Sequence, residues 1–543
     1  MDSVGCAPSL VAIPKELQAL PDRIAKSYEN KTLFISGGSG FLGKVLIEKI
    51  LRLEPNVKKI YLLMRSKRGK SPEERIEDLF QCPVFEALKS LRGKDILKKV
   101  QVISGDITQL HLGISEKDKK ELIENVDIVY HVAATIRFDE PIKTAVILNT
   151  RGTRDMLELS KQFKQLKLFT YISTAYCHPK EEVLEEKTYL PPDDPHQVIL
   201  RAESMKSDDL EVFRKDILGD FPNSYAYTKC LAEGLVAECM ELGMPCMILR
   251  PSIVVPIYKE PLPGWTDNIN GPTGLLIGAG KGVIRSMYCN NTGMADFLPV
   301  DVAINGVFLF TWDYLNSKKE DRRKVCHLTT NKDYKITWQE IIDIGKHIVT
   351  SKVPFNNTLW YPGGGMTQSR LTHFICCILF HWIPAYFLDA LILISGNKPC
   401  LVKIQERIHH GFEVFEYYTN NEWEFKNENL HSVRSNRNAR EVIQYCVEND
   451  NVDIAKYFEK GVHCARYFLM KETPDTLQSA KRMMKVMYTL HIATRLIFFG
   501  LILWFFSNNF HMFVKLGIFL QGLVKVFLTS SSDTTASRVM TDL

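Results

Sequence analysis

At 543 residues the chain exceeds what one ordinary hydrophobic core supports, so two or more structural units are expected. Hydrophobic residues at 45% and charged residues at 24% exclude a wholly disordered or fibrous chain. A net charge of +5 without a long basic run argues against nucleic acid as the main partner.

After a polar lead over residues 1–30, which has no sustained apolar run and so no cleaved secretory signal, Lys31–Ser36 (KTLFIS) predicts a short buried strand. Gly-rich residues follow, and Lys44–Leu53 has helical periodicity. Further apolar strands are predicted at Lys59–Met64, Lys99–Ser104, Ile128–His131, Leu168–Ile172 and Cys246–Leu249, with helical segments between them. This alternation predicts an α/β fold, a Rossmann-like doubly wound parallel sheet with helices on both faces. From about Lys335 the alternation fades. Leu371–Ser395 is strongly apolar yet carries His373, His381, Pro384 and Asp389. It reads as helical, either buried or membrane-facing, and a plain core for a second domain is the simpler expectation. Asn436–Leu469 mixes charged and apolar residues at helical spacing, completing a helical C-terminal domain.

The tail, Thr489–Leu528, reads as membrane-associating. Its longest apolar run, Leu496–Phe506, is short of the roughly 20 residues that span a bilayer. A second stretch, Phe513–Phe527, is broken by Lys515, Gln521 and Lys525, so a shallow hairpin and a single span both remain open. Lys481, Arg482, Lys485 and Arg495 place the preceding side in the cytosol. The expected layout is a lead at 1–30, a catalytic Rossmann-type domain at 31–330, a helical domain at 331–475, a membrane-associating segment at 489–528 and a polar tail at 529–543.

Gly37, Gly40 and Gly43 stand in Ser36-Gly37-Gly38-Ser39-Gly40-Phe41-Leu42-Gly43, between the first strand and the first helix. A turn without Cβ atoms lets the backbone N–H groups of Ser39, Phe41 and Leu42 and the helix N-terminus approach a pyrophosphate. The second strand ends not in the Asp or Glu of an NAD site but in Arg65-Ser66-Lys67-Arg68, which suits a 2′-phosphate and makes NADPH the expected cofactor. Asp106, after the third strand, is either an acceptor for the adenine amino group or a turn-former. Thirteen cysteines, adjacent only at Cys376-Cys377 and without Cys-x-x-Cys spacing, point to reduced thiols and to no metal centre.

Tyr225 and Lys229 are spaced i, i+4 on one helix face, where an ammonium would lower the phenol's pKa and make it a proton donor near neutrality. Ser173-Thr174-Ala175 ends a predicted strand about fifty residues upstream and supplies a hydroxyl to the same substrate oxygen. Asn149 either holds a water that links Lys229 to bulk or caps a helix.

These motifs resemble the extended short-chain dehydrogenases/reductases. The resemblance is closer to the fatty acyl-CoA reductases, through Leu62–Arg65 with Lys70 and Arg75, His131-Val132-Ala133-Ala134-Thr135, Pro263-Gly264-Trp265-Thr266-Asp267-Asn268 and Leu379-Phe380-His381. It covers about Lys31 to Leu469. It implies reduction of a long-chain acyl-CoA by NADPH through an aldehyde to the alcohol, with Ala133 at the cofactor and Thr174, or its rival Ser173, beside Tyr225 and Lys229. A membrane-bound sterol dehydrogenase and a non-catalytic NADPH-binding scaffold are the alternatives. The partners implied are the acyl-CoA and a lipid membrane, with an oligomer open. The catalytic part is expected to face the cytosol, at the endoplasmic reticulum in preference to the peroxisome, because the ending Thr541-Asp542-Leu543 is not Ser-Lys-Leu.

Overall fold

Short apolar runs buried on both faces are the pattern of a parallel sheet covered by helices, and the computed structural model forms such a sheet. Its strands are β1 (Thr32–Ser36), β2 (Lys59–Met64), β3 (Val100–Ser104), β4 (Ile128–His131), β5 (Leu168–Ile172), β6 (Cys246–Pro251) and β7 (Val325–Leu328). The first six coincide with the predicted runs to within two residues at either end. The seventh is additional. The structure describes residues 6–330, 336–448, 452–509, 518 and 521.

Every pairing in this sheet is parallel, in the order β7-β6-β5-β4-β1-β2-β3. The reversal of strand order between β1 and β4 opens the crevice at the carboxyl ends where doubly wound sheets take their ligands. Alternation along each strand feeds two cores. Leu33, Ile35 and Leu62 join Val45 and Ile50 of α1 (Phe41–Leu53) on one face, and Phe34, Tyr61 and Phe169 join Leu231 and Leu235 of α2 (Ser224–Glu241) on the other. The face with α1 also takes Ile304 and Phe308 of α3 (Val300–Asn316).

A buried polar cluster lies inside this apolar frame. Arg250, in β6, has no exposed surface and donates from Nε and Nη2 to the two carboxylate oxygens of Glu233 on α2 at 2.9 and 2.7 Å. Its remaining N–H groups meet the carbonyls of Glu185 and Lys187 and Nε2 of His327 in β7. Glu233 also accepts from Cys177 Sγ and pairs with His178 Nε2 at 3.0 Å.

Beyond β7 the chain is mainly helical, as expected. Two long helices there are α4 (Arg370–Ile394) and α5 (Leu401–Asn420). The simpler expectation for Leu371–Ser395, a buried core helix, is overturned. Its polar residues face the protein: His381 Nε2 accepts the Arg285 backbone N–H at 2.8 Å, His373 pairs with Ser286 Oγ at 2.9 Å, and Asp389 accepts from the backbone N–H groups of Cys400, Leu401 and Val402, capping α5. Its apolar residues face outward, with Leu371 69%, Phe374 61%, Phe387 63% and Ile394 82% exposed. A helix that seats its polar edge inward can bury that edge without burying its apolar face.

The chain divides into two compact units, 1–480 and 481–543. The second holds most of α6 (Leu477–Asn508), a continuous helix in which the apolar run from Leu496 forms part of a segment long and apolar enough to cross a membrane. The second apolar stretch, Phe513–Phe527, lies outside the described residues except for Ile518 and Gln521, and the polar tail at 529–543 lies wholly outside them.

Arg250→Ala removes the chief counter-charge of buried Glu233, at an expected cost of about 3–5 kcal/mol, read as a lowered thermal-unfolding midpoint. The Arg250→Ala/Glu233→Ala pair is expected to lose less than the sum of the single variants, because each single loss includes the other partner's stranded charge.

Candidate active site

The Gly-rich turn sits at the switch point between β1 and β4. Gly37 has φ +74°, and a Cβ there would stand 2.5 Å from the backbone nitrogen of Ala133 after β4. A Cβ on Gly43 would stand 2.5 Å from Gly37 O and Gly38 Cα. The turn is thus pressed against Ala133 on one side and α1 on the other. Gly40 caps α1 without a side-chain acceptor, so the first N–H groups of the helix, from Phe41 on, have no capping partner. This is the cradle a pyrophosphate needs.

The end of β2 is cationic. Arg65 donates from Nη1 to Asp106 Oδ2 at 3.1 Å, and Arg75 donates to the Arg65 carbonyl and, at 3.5 Å, to Ser39 Oγ of the turn. Burial and the neighbouring Arg65, Arg75 and Arg68 hold the Lys67 pKa down, and burial and then Arg65 do the same to Arg75. Asp106 also accepts from the backbone and hydroxyl of Thr108, so it serves the turn as well as Arg65. Arg75 entered the sequence reading only as part of a family motif. Its contact with Ser39 places it at the turn, a juxtaposition that no spacing in the sequence signals.

Beyond β5, buried Thr174 lies beside the half-buried phenol of Tyr225 on α2. Ser173 instead points its hydroxyl at Cys177 Sγ, 3.7 Å away. Lys229, one turn beyond Tyr225, is buried; its Nζ donates to the Ile172 carbonyl at 2.5 Å and lies 4.3 Å over the Tyr171 ring. Burial pushes its pKa down to about 8. The expected lowering of the phenol's pKa by this ammonium is not found. Burial raises the Tyr225 pKa and Cys177 adds to the rise, with the Thr174 hydroxyl opposing them. The capping expectation for Asn149 does not describe its place: it lies mid-helix, and its amide is spent on the backbone of Thr135 and on Thr228 Oγ1.

An aromatic wall borders the phenol. Tyr225 stacks on Phe138 at 5.5 Å, and Phe138 packs against Phe415 and Tyr418 of α5 at 6.2 and 5.4 Å. Asn223 caps α2 by accepting from the Ala226 N–H at 2.9 Å, and its Nδ2 donates to the Tyr418 hydroxyl at 2.9 Å. None of Phe138, Phe415 and Tyr418 carries a sequence signal, because they meet only when the chain-distant C-terminal helix docks.

The residues present fit a dinucleotide: a cradle closed to any Cβ, a cationic strand end beside it, and a hydroxyl, phenol and ammonium beyond the neighbouring strand. This arrangement belongs to nicotinamide-dependent oxidoreductases of the extended short-chain dehydrogenase/reductase type. Two solved structures share the fold. The terminal R domain from the myxalamid PKS-NRPS pathway has a TM-score of 0.55 at 19% identity, covering 82% of this chain and 93% of that one. The R domain of a nonribosomal peptide synthetase from Mycobacterium tuberculosis has a TM-score of 0.54 at 17% identity, covering 83% and 96%.

Two family models, each described as "Male sterility protein", match residues 35–307 and 380–472. Fatty acyl-CoA reductase 1 of Xenopus laevis is 35% identical over 84% of this chain and 88% of its own length, and fatty acyl-CoA reductase wat of Drosophila melanogaster is 32% identical over 88% and 91%. The chain belongs to the fatty acyl-CoA reductase family.

Gly37→Ala adds left-handed strain of about 1–2 kcal/mol to the contact with Ala133, so nicotinamide-dinucleotide binding measured by calorimetry is expected to weaken at least about tenfold.

Proposed function

We propose that this protein reduces long-chain fatty acyl-CoA to the fatty alcohol, with NADPH as donor, an aldehyde between the two reductions and CoA released. The observation that carries the chemistry is the juxtaposition of the Thr174 hydroxyl and the Tyr225 phenol beyond β5, with Lys229 one turn further along α2. NADPH is favoured by the cationic end of β2, where Arg65, Lys67, Arg68 and Arg75 repel one another and an anion would relieve them. The names of the relatives support the substrate class.

NADPH bound along the crevice supplies the hydride. The protein's part is to stabilise and protonate the oxygen that gains charge. Thr174 and Tyr225 donate to the substrate oxygen as it becomes an oxyanion, and a fixed pair of donors there is the main electrostatic contribution. Because burial keeps the phenol protonated at neutral pH, Tyr225 has a proton to give. In the first reduction the oxyanion reforms its carbonyl as the C–S bond breaks, and CoA leaves as a thiolate that takes its proton from solvent; in the second Tyr225 gives its proton to the aldehyde oxygen and the alcohol forms. Thr174 takes the hydroxyl role, since Ser173 is turned to Cys177. Lys229 holds a positive charge near the site below about pH 8.

We place the enzyme at a membrane, with the catalytic unit on the cytosolic side. The inside-out pattern of α4 and the apolar length of α6 support this, because contiguous exposed apolar surface of this kind suits lipid. Lys481, Arg482, Lys485 and Arg495 on α6 fit the cytosolic side.

With detergent-solubilised protein, NADPH consumption, free thiol and lipid products are measured together over graded acyl-CoAs. Two NADPH oxidised per thiol released, with alcohol formed, is the expected result, and oxidation without thiol overturns the proposal. Tyr225→Phe is expected to lower kcat about 10²–10⁴-fold. In the free enzyme kcat/KM should fall as pH rises through about 8, where Lys229 loses its proton, and Lys229→Met should abolish that limb. Arg65→Ala/Arg75→Ala should weaken NADPH far more than NADH. Removal of residues 489–543 is expected to leave part of the protein in the membrane pellet through α4.

A further inference from the structure

The glycine-tryptophan segment after β6 folds back on a C-terminal helix. Gly264, at φ +83°, lets this happen: a Cβ there would stand 2.5 Å from the Lys460 carbonyl. The two backbones therefore touch, and the helix Ile454–Cys464 forms one side of an apolar cavity of about 100 Å³. Val255, Leu276, Phe355 and Tyr457 line it, together with Gly345 on the helix Trp338–His347 and Gly461 on Ile454–Cys464. That is room for a few methylene groups, on the scale of the dry apolar cavities that take up a small apolar guest.

We infer that this cavity holds the distal part of the substrate's acyl chain, and that Gly461 and Gly345 set how long a chain it accepts. The inference rests on the proposed acyl-CoA chemistry. Apolar side chains lead from the reacting end to the cavity: Phe138 stacks on Tyr225 and packs on Phe415, and Phe415 belongs to the cluster that contains Val255, Leu276, Phe297 and Tyr457. An apolar cluster that reaches from the phenol to a cavity with almost no polar lining suits a methylene chain and offers nothing to a nucleotide or a pantetheine amide.

The two glycines are the second observation. Glycine inside a helix costs about 1 kcal/mol relative to alanine, and close packing usually explains it. Here it does not. A Cβ on Gly461 would meet nothing within 4 Å, and one on Gly345 would meet only Leu276 Cδ2, at 3.7 Å. No neighbour needs the missing side chains; what their absence preserves is open space in the cavity wall.

Gly461→Leu tests this, since leucine is a better helix former than glycine and its side chain enters the cavity. Gly345→Leu fills it from the neighbouring helix, and thermal unfolding and NADPH binding report whether each variant is folded. Binding without cofactor, and kcat/KM with it, are measured for decanoyl-CoA and stearoyl-CoA. The stearoyl-to-decanoyl ratio is expected to fall at least about tenfold in each variant, the order of discrimination a hydrophobic pocket achieves. An unchanged ratio in both folded variants overturns the cavity assignment. If the wild type binds stearoyl-CoA with a length preference that Gly461→Leu abolishes yet turns over no acyl-CoA, the cavity stands and the proposed reaction fails.

Discussion

The salt bridge between Glu233 and Arg250 fixes the geometry on which the candidate site depends. Glu233 lies one turn beyond Lys229 and two beyond Tyr225 on α2, Arg250 lies in β6, and Cys177 and His178 follow Thr174 after β5. One carboxylate therefore ties the helix of the phenol to the segment of the hydroxyl through charge in a dry interior, where a displaced partner would be stranded. His178 is driven up to about 10 within this cluster, through its contacts with Cys177 and Glu233 against the pull of burial, and Glu233 is held low chiefly by Arg250 against its own burial. Such a cluster is a poor source of net stability compared with apolar packing, but it tolerates few alternative arrangements. A site that needs two donors on one oxygen is well served by that intolerance.

The sheet was legible in the sequence because fully buried parallel strands are short apolar runs, and six of them announce themselves that way. β7 escaped because Val325-Cys326-His327-Leu328 carries a histidine that is polar in the sequence but is paired with Arg250 and the Lys426 carbonyl in the fold. The glycine turn was legible because its chemistry is local. Arg75 and the aromatic wall were not, since they depend on which distant segments dock. For α4 the sequence held the necessary residues but not their direction: His381 and Asp389 look like interruptions of an apolar run until their partners, the Arg285 and Cys400–Val402 amides, are placed. The pKa of Tyr225 could not be inferred from its spacing to Lys229, because burial outweighs a lysine that is hydrogen-bonded elsewhere.

The C-terminal part builds the site as well as covering it. Its helix α5 supplies Phe415 and Tyr418 to the wall, its helix Ile454–Cys464 supplies one side of the apolar cavity, and α4 turns a lipid-compatible face outward. The Rossmann-type half carries the groups for hydride chemistry common to its class, and what distinguishes this chain is added from the other half. The close approach at Gly264 joins the two, since it lets the glycine-tryptophan segment and the helical part share one wall.

Asn223 draws these halves into one mechanical unit. Its Oδ1 ends the helix that carries Tyr225, and its Nδ2 holds Tyr418 of α5. The two bonds leave from opposite ends of a single amide group. One amide side chain thus belongs to both parts of the fold, so the start of the Tyr225 helix and the seating of α5 are not set independently of each other.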